Sequence, residues 1–225
     1  MKGLFTALAL WACVIVAGQA RAEPVQVGDA TLEMKVPAGF SEDSDARAHM
    51  HVAPSTPQTI YKVYVPKGGY VMHDGGVVLQ DFVAIAASDN QPAPAPGDSA
   101  LTDIESRMDR AFREIMSGES DKKIPLDDNF FDRLKSIKHK DRLLLEKLVR
   151  KGRVSYISIS RVTEAHEKSG TDCTYVVTGE TFMQVRGIML NILSFSHVER
   201  EDVALSVNKI KYMAGNVIPM LLDNN

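Results

Sequence analysis

The sequence predicts an α+β protein: a twisted antiparallel sheet with helices packed on it, the last a long C-terminal helix. Three observations carry that expectation. β-rich runs flank two X-Gly pairs, Lys151-Gly152 and Arg186-Gly187, which read as hairpin turns. Strands joined so tightly run antiparallel and cannot build a doubly wound parallel sheet. Two other stretches, one after residue 100 and one at the C-terminal end, repeat apolar residues at helical spacing.

The chain opens with a segment of another kind. Lys2 precedes a nearly unbroken apolar run from Leu4 to Ala17, and Ala20-Arg21-Ala22 is followed by Glu23-Pro24. A positive start, a short apolar run and an A-x-A site are the pattern of a secretory signal peptide. The run is shorter than the roughly 20 residues a membrane helix needs. Residues 1–22 are thus expected to be a cleaved signal, and 23–225 a single α+β domain outside the cytoplasm, periplasmic or extracellular. Leu10-Trp11-Ala12-Cys13 has the outline of a lipobox, but Trp11 is bulky and the apolar run continues past Cys13. Cleavage at Ala22 is the expected outcome.

Val25–Val27 and Thr31–Val36 alternate around Gly28-Asp29 and read as a hairpin, ended by Pro37-Ala38-Gly39-Phe40. Ser41 to Pro57 reads as a loop. Ile60–Val65 and Val77–Ala87 read as strands joined by a Gly-rich loop from Pro66 to Gly76. Pro92, Pro94 and Pro96 mark residues 88–100 as a stiff surface loop. Thr102 and Glu105 fit a capping box. Ile104, Met108, Ala111, Phe112, Ile115 and Met116 then make the apolar stripe of a helix that Gly118 ends. Phe130, Phe131, Leu134 and Ile137 suggest a short second helix. Arg142–Val149, Val154–Val162, Thr174–Val185 and Ile188–Val198 form a meander. In the last of these Ile188, Leu190 and Ile192 point one way and Met189, Leu193 and Phe195 the other, so both faces of the sheet need cover. A helix over Glu201–Leu221, with the stripe Val203, Val207, Ile210, Ala214, Val217 and Leu221, can supply one cover. Pro219 should kink or end it.

The hairpin end Met34-Lys35-Val36-Pro37-Ala38-Gly39-Phe40, the turn in Phe182-Met183-Gln184-Val185-Arg186-Gly187-Ile188-Met189-Leu190 and the long final helix resemble the PsbP-like fold, seen in PsbP and in DcrB-type periplasmic proteins. The resemblance lies in element order more than in motif. It implies a secreted, mostly non-enzymatic background and carries over no site residue.

Loss of residues 1–22 removes Lys2 and Arg21, leaving 203 residues with 24 basic against 29 acidic side chains, a net charge of −5. That balance gives nucleic-acid binding little support. Of the two cysteines Cys13 leaves with the signal and Cys173 remains, so no intramolecular disulfide is possible and the fold must rest on its core.

Residues that could carry chemistry are sparse. His49-Met50-His51 is the best metal candidate, because side chains two apart in an extended segment point the same way, with Glu42, Asp43 and Asp45 near in sequence. The same pattern also suits a polar loop. Cys173 follows Asp172, whose carboxylate disfavours a thiolate. No Gly-x-Ser-x-Gly elbow and no phosphate-cradling glycine loop occurs, and no cofactor is expected. His197, on the strand face of Phe195, reads as a histidine at the core edge. Arg133 to Arg153 holds nine basic residues against Asp141 and Glu146, a net of +7, while the rest of the mature chain carries −12. Lys138, Lys140, Lys147 and Lys151 are therefore the candidate interaction residues, for an envelope protein or an anionic surface component. They also fit a solvated strand edge.

The expected function is a secreted, non-catalytic binding or envelope-assembly protein. The alternatives are a metal-assisted hydrolase using His49 and His51, and a carrier of a small apolar ligand. Mass analysis of the protein from its native source is expected to give Glu23 as the N-terminal residue; an intact Met1 or a lipid-modified Cys13 would refute the reading of the leader.

Overall fold

The computed structural model describes residues 22–44, 58–67, 70–73, 76–79, 81–88, 99–116, 126–136, 142–161 and 175–222. Its strands are β1 (Glu23–Val27), β2 (Ala30–Met34), β3 (Phe40–Glu42), β4 (Gln58–Pro66), β5 (Tyr70–His73), β6 (Gly76–Leu79), β7 (Asp81–Ser88), β8 (Leu143–Arg150), β9 (Arg153–Arg161), β10 (Tyr175–Val185) and β11 (Ile188–Val198). The helices are α1 (Ser99–Met116), α2 (Asp128–Ser136), α3 (Val203–Tyr212) and α4 (Ile218–Leu221). A 3-10 turn, Arg200–Asp202, leads into α3, and a π turn, Met213–Val217, joins α3 to α4.

Seven strands form one antiparallel sheet in the order β3-β4-β7-β11-β10-β9-β8. The class read from the sequence, an antiparallel α+β sheet with packed helices and a C-terminal helix, is the class observed. The meander β8 to β11 holds because each connection is locally cheap where it is tight. At the β10–β11 turn Arg186 and Gly187 have φ of 50° and 81°, the backbone that suits a two-residue hairpin. Arg186 tolerates that conformation while its guanidinium donates to the Thr31 carbonyl at 3.1 Å, so the turn also holds the β1–β2 hairpin.

Alternation gives the sheet two apolar faces. On one, Val83, Ile85, Leu190 and Ile192 pack with Val27, Leu32 and Met34 of the β1–β2 hairpin and with Met213, Ile218 and Leu222 of the C-terminal segment. On this face too, Phe131 of α2 meets Tyr175 edge-on, with centroids 5.2 Å apart. On the other face Val63, Val65, Phe82, Ala84 and Leu193 cluster, with Phe82 stacked on Phe195 at 4.5 Å. There α1 covers β8, β9 and β10, and Phe112 stacks on Tyr156.

Several local expectations are corrected. Ser41 and Glu42, expected to open a loop, belong to the short edge strand β3, and the Gly-rich stretch from Pro66 to Gly76 contains β5 and the first residue of its partner β6. β7 begins at Asp81, so Val77–Ala87 is not one strand. α1 starts at Ser99, which places Thr102 inside the helix instead of at its cap. Ala111 is exposed, because the stripe that packs is Leu101, Ile104, Met108 and Phe112. The second strand of the first hairpin ends at Met34.

The C-terminal helix is not continuous, for a physical reason. Pro219 has no N–H to give to the carbonyl four residues back, and its ring crowds that turn. The carbonyl in question is that of Gly215. The backbone answers with the wider π turn over 213–217, and the Arg153 guanidinium donates to the Gly215 oxygen at 3.1 Å. The added residue shifts the buried stripe, so Ile218 and Leu222 are buried and Val217 only half-buried.

α3 lies so close to the sheet because Gly179 of β10 has no side chain. A Cβ there would come within 2.5 Å of Ile210 Cγ2 and 2.6 Å of Ser194 Oγ. Gly179→Ala is expected to destabilise the protein by about 1–3 kcal/mol, the usual cost of overpacking. Chemical denaturation should show that adding Ile210→Ala to Gly179→Ala costs less than Ile210→Ala costs in the wild type, since it removes the Cγ2 methyl that meets the new Cβ.

Candidate functional site

Among the described residues a dense set of titratable groups joins α1 to the sheet edge. Lys147 Nζ, on β8, bonds Glu105 Oε1 at 2.6 Å and Asp109 Oδ2 at 2.7 Å. Glu105 and Asp109 stand four apart on α1 and so project side by side. Tyr156, fully buried on β9, donates its hydroxyl to Asp109 Oδ1 at 2.9 Å. Lys147 also lies 5.7 Å from the Tyr156 ring centroid. Burial, then the bond to Asp109, pushes the Tyr156 phenol well above its ordinary range. Burial opposes the Lys147 ammonium, but the bonds to Asp109 and Glu105 prevail and hold its pKa above the usual lysine value. The chemistry of this set is that of a clamp: two acids, one cation and a phenol satisfy one another.

A polar row crosses the same face of the sheet. Asn191 Nδ2, on β11, reaches Glu180 Oε1 at 3.2 Å and Gln58 Oε1 at 3.5 Å. Glu180 Oε2 in turn meets Arg142 at 3.4 Å. Asn191 and Gln58 meet over Ala86 of the intervening strand β7, whose small side chain leaves the space. A third cluster sits at the opposite edge of the sheet, where Lys62 Nζ bonds Glu23 at 2.7 Å and Glu42 at 2.6 Å. The bond and charge of Lys62 lower the Glu23 pKa. Both Lys209 to Asp81 and Lys211 to Glu146 are ion pairs that fasten α3 to the sheet.

The cations of α1 and of the β8–β9 hairpin differ from these. Arg107, Arg110 and Arg113 follow at three-residue intervals along α1 and are exposed. Arg150 and Lys151 are exposed at the hairpin tip. Among the described residues none of the five forms an ion pair. Arg113 Nε donates within the helix to the Asp109 carbonyl at 3.1 Å.

Of the candidates read from the sequence, Lys147 lies in the clamp and Lys151 at the tip, both on the rim of β8. Lys138, Lys140, His49, His51 and Cys173 lie outside the described residues, as do most of the Pro-rich loop and the leader before Ala22. His197 is half-buried near the end of β11. Among the described residues no three His, Cys, Asp or Glu side chains gather as metal ligands, and no helix is long and apolar enough to cross a membrane. Sequence reading missed the α1 arginines. Their three-residue spacing was visible, but which way that side of the helix faces depends on the packing of Phe112 and Tyr156.

The clamp sets a pH dependence. Tyr156 and Lys147 both bind their proton more tightly folded than unfolded. Their contribution to stability is therefore complete below the unfolded values, near pH 10, and is lost as pH rises through the folded ones. Stability measured by denaturation should fall steeply above about pH 10, and Tyr156→Phe should make that fall shallower. At neutral pH the same substitution should cost about 1 kcal/mol, the ordinary worth of one hydrogen bond.

No family model and no curated protein matches this chain. Solved structures do match. One is the Ran-binding protein Mog1p of Saccharomyces cerevisiae, 11% identical, covering 91% of this chain and 94% of that one with a TM-score of 0.39. Another is a mutant of the protein Mog1, 12% identical, covering 90% and 93% with a TM-score of 0.39. These neighbours correct the resemblance to PsbP-like and DcrB-type proteins. The residues that suggested it, a hairpin end and an Arg-Gly turn, answer backbone demands common to antiparallel sheets and do not mark a family.

Proposed function

We propose that this chain is an exported, non-catalytic binding protein that meets an anionic surface of the cell envelope with the basic rim around β8. One observation carries the reading: among the described residues the cations of α1 and the β8–β9 tip form no ion pair, while Lys62, Arg142, Lys147, Arg200, Lys209 and Lys211 are each paired. In a chain that is acidic overall, exposed cations on the edge strand and on the helix that covers it produce a local positive field, which steers anionic partners and repels cationic ones. Export is supported by the leader pattern at residues 1–22 and by the start of β1 at Glu23.

The attraction acts between exposed charges and is screened over roughly 8 Å at physiological salt. Co-sedimentation with the native envelope fraction should weaken steeply as salt rises. Replacing Arg107, Arg110, Arg150 and Lys151 together by Gln should abolish it at low salt, with the melting temperature nearly unchanged because exposed charges contribute little. Undiminished binding by that variant would refute the reading, and loss only after digestion of envelope proteins would identify an acidic protein as the partner.

A further inference from the structure

We propose that the tip of the β8–β9 hairpin binds a phosphate-class oxyanion. The proposal rests on the reading of the basic rim as an anion-binding surface and names the group it takes.

Arg150 and Arg153 are register partners across the turn. Side chains so placed leave the same face of the ladder with Cβ atoms about 5 Å apart, and like charges there repel. Lys151 stands exposed between them, where Gly152 turns the chain with a φ of 71°. Among the described residues none of these three cations has a carboxylate partner. Three positive charges thus stand around one tight turn with no carboxylate among the described residues to offset them.

Arg153 cannot relieve the crowding by swinging outward. One of its terminal nitrogens is committed to the Gly215 carbonyl, the acceptor that Pro219 leaves unserved, at 3.1 Å. Its Nε is shielded from water and has no partner. The guanidinium is thus held in place, and burial together with the charge of Arg150 makes it a less comfortable cation. A fixed guanidinium fork, a second arginine directly opposite and a mobile ammonium beside them suit a tetrahedral oxyanion, which accepts from several directions and neutralises the repulsion. Tyr212 is 63% exposed on the helical segment that Arg153 braces. An aromatic side chain in that position suits the interfacial region of a lipid layer. The phosphate could belong to a lipid headgroup or be free in solution.

The test uses the mature full chain. Inorganic phosphate and pyrophosphate are titrated while amide resonances are followed, and vesicles of phosphatidylglycerol are compared with vesicles of phosphatidylcholine by sedimentation. The expected result is saturable binding of at least one phosphate probe, centred on Gly152 and Gly215. The Arg150→Gln, Lys151→Gln double variant, which leaves the Arg153 brace intact, should weaken it by roughly tenfold or more, the scale of one lost charge-assisted bond. Binding to phosphatidylglycerol vesicles without binding to the free anions assigns the lipid source, and the reverse assigns a soluble one. The proposal is overturned if no phosphate probe binds or if the double variant binds as the wild type does. An Arg107→Gln, Arg110→Gln variant separates the two claims. Envelope binding that survives the tip variant but not the α1 variant overturns the tip and leaves the wider reading standing. Envelope binding unaffected by both variants and by salt overturns both.

Discussion

The close seat of α3 on β10 is the constraint from which much of the architecture follows. Gly179 leaves a gap one methyl deep, and Ile210 fills it. That approach brings Ser206 within 3.1 Å of Ser196, buries Val203 and Val207, and carries the chain onward to cover Leu190 and Ile192. Protein interiors are packed too densely for such a contact to be shifted without loss. The helix must also stay on the sheet past Pro219. It does so by widening one turn and accepting a hydrogen bond from Arg153, so the end of the core is tied to the β8–β9 hairpin.

The two faces of the sheet are covered by different means. On the α3 face the contact is mainly apolar, with ion pairs at its margins. On the α1 face a buried phenol, a lysine and two carboxylates do part of the holding. A buried charge with a single partner is costly, whereas one whose hydrogen bonds are fully met is tolerated. Lys147 meets both Glu105 and Asp109, and Asp109 also accepts from Tyr156. This arrangement commits Glu105 and Asp109 to the inner side of α1, while Arg107 and Arg110 are exposed and form no ion pair among the described residues.

The same edge explains why repulsion at the tip is endured. β8 is the last strand of the seven, and its tip is wet, so the cost of opposing Arg150 and Arg153 is reduced by solvent. Charges at an edge strand also discourage unwanted strand pairing. Only Arg153 is withdrawn from that freedom, because the terminal helix needs its N–H.

Much of the fold was legible along the chain. X-Gly turns demanded an antiparallel meander, and β11 was bounded residue for residue because its alternation and its turn agree. The two amphipathic helices could be placed because apolar spacing is a local property. Short elements were not legible: β3 has three residues, and β5–β6 lies in a glycine-rich stretch where pairing, not propensity, decides. The capping box at Thr102 had the right letters, but the helix begins earlier, at Ser99. The basic character of residues 133–153 could be counted from sequence. That Lys147 and Arg142 are held by carboxylates could not, because their partners Asp109 and Glu180 come from residues 38 positions away. By itself, then, the sequence determined the class of fold, the turns, the apolar faces and the charge of the β8 segment, all of which follow from neighbours in the chain. Only the tertiary structure decided the seating of Ile210 against Gly179, the π turn braced by Arg153 and the sorting of cations into paired and unpaired, since each depends on groups brought together by packing.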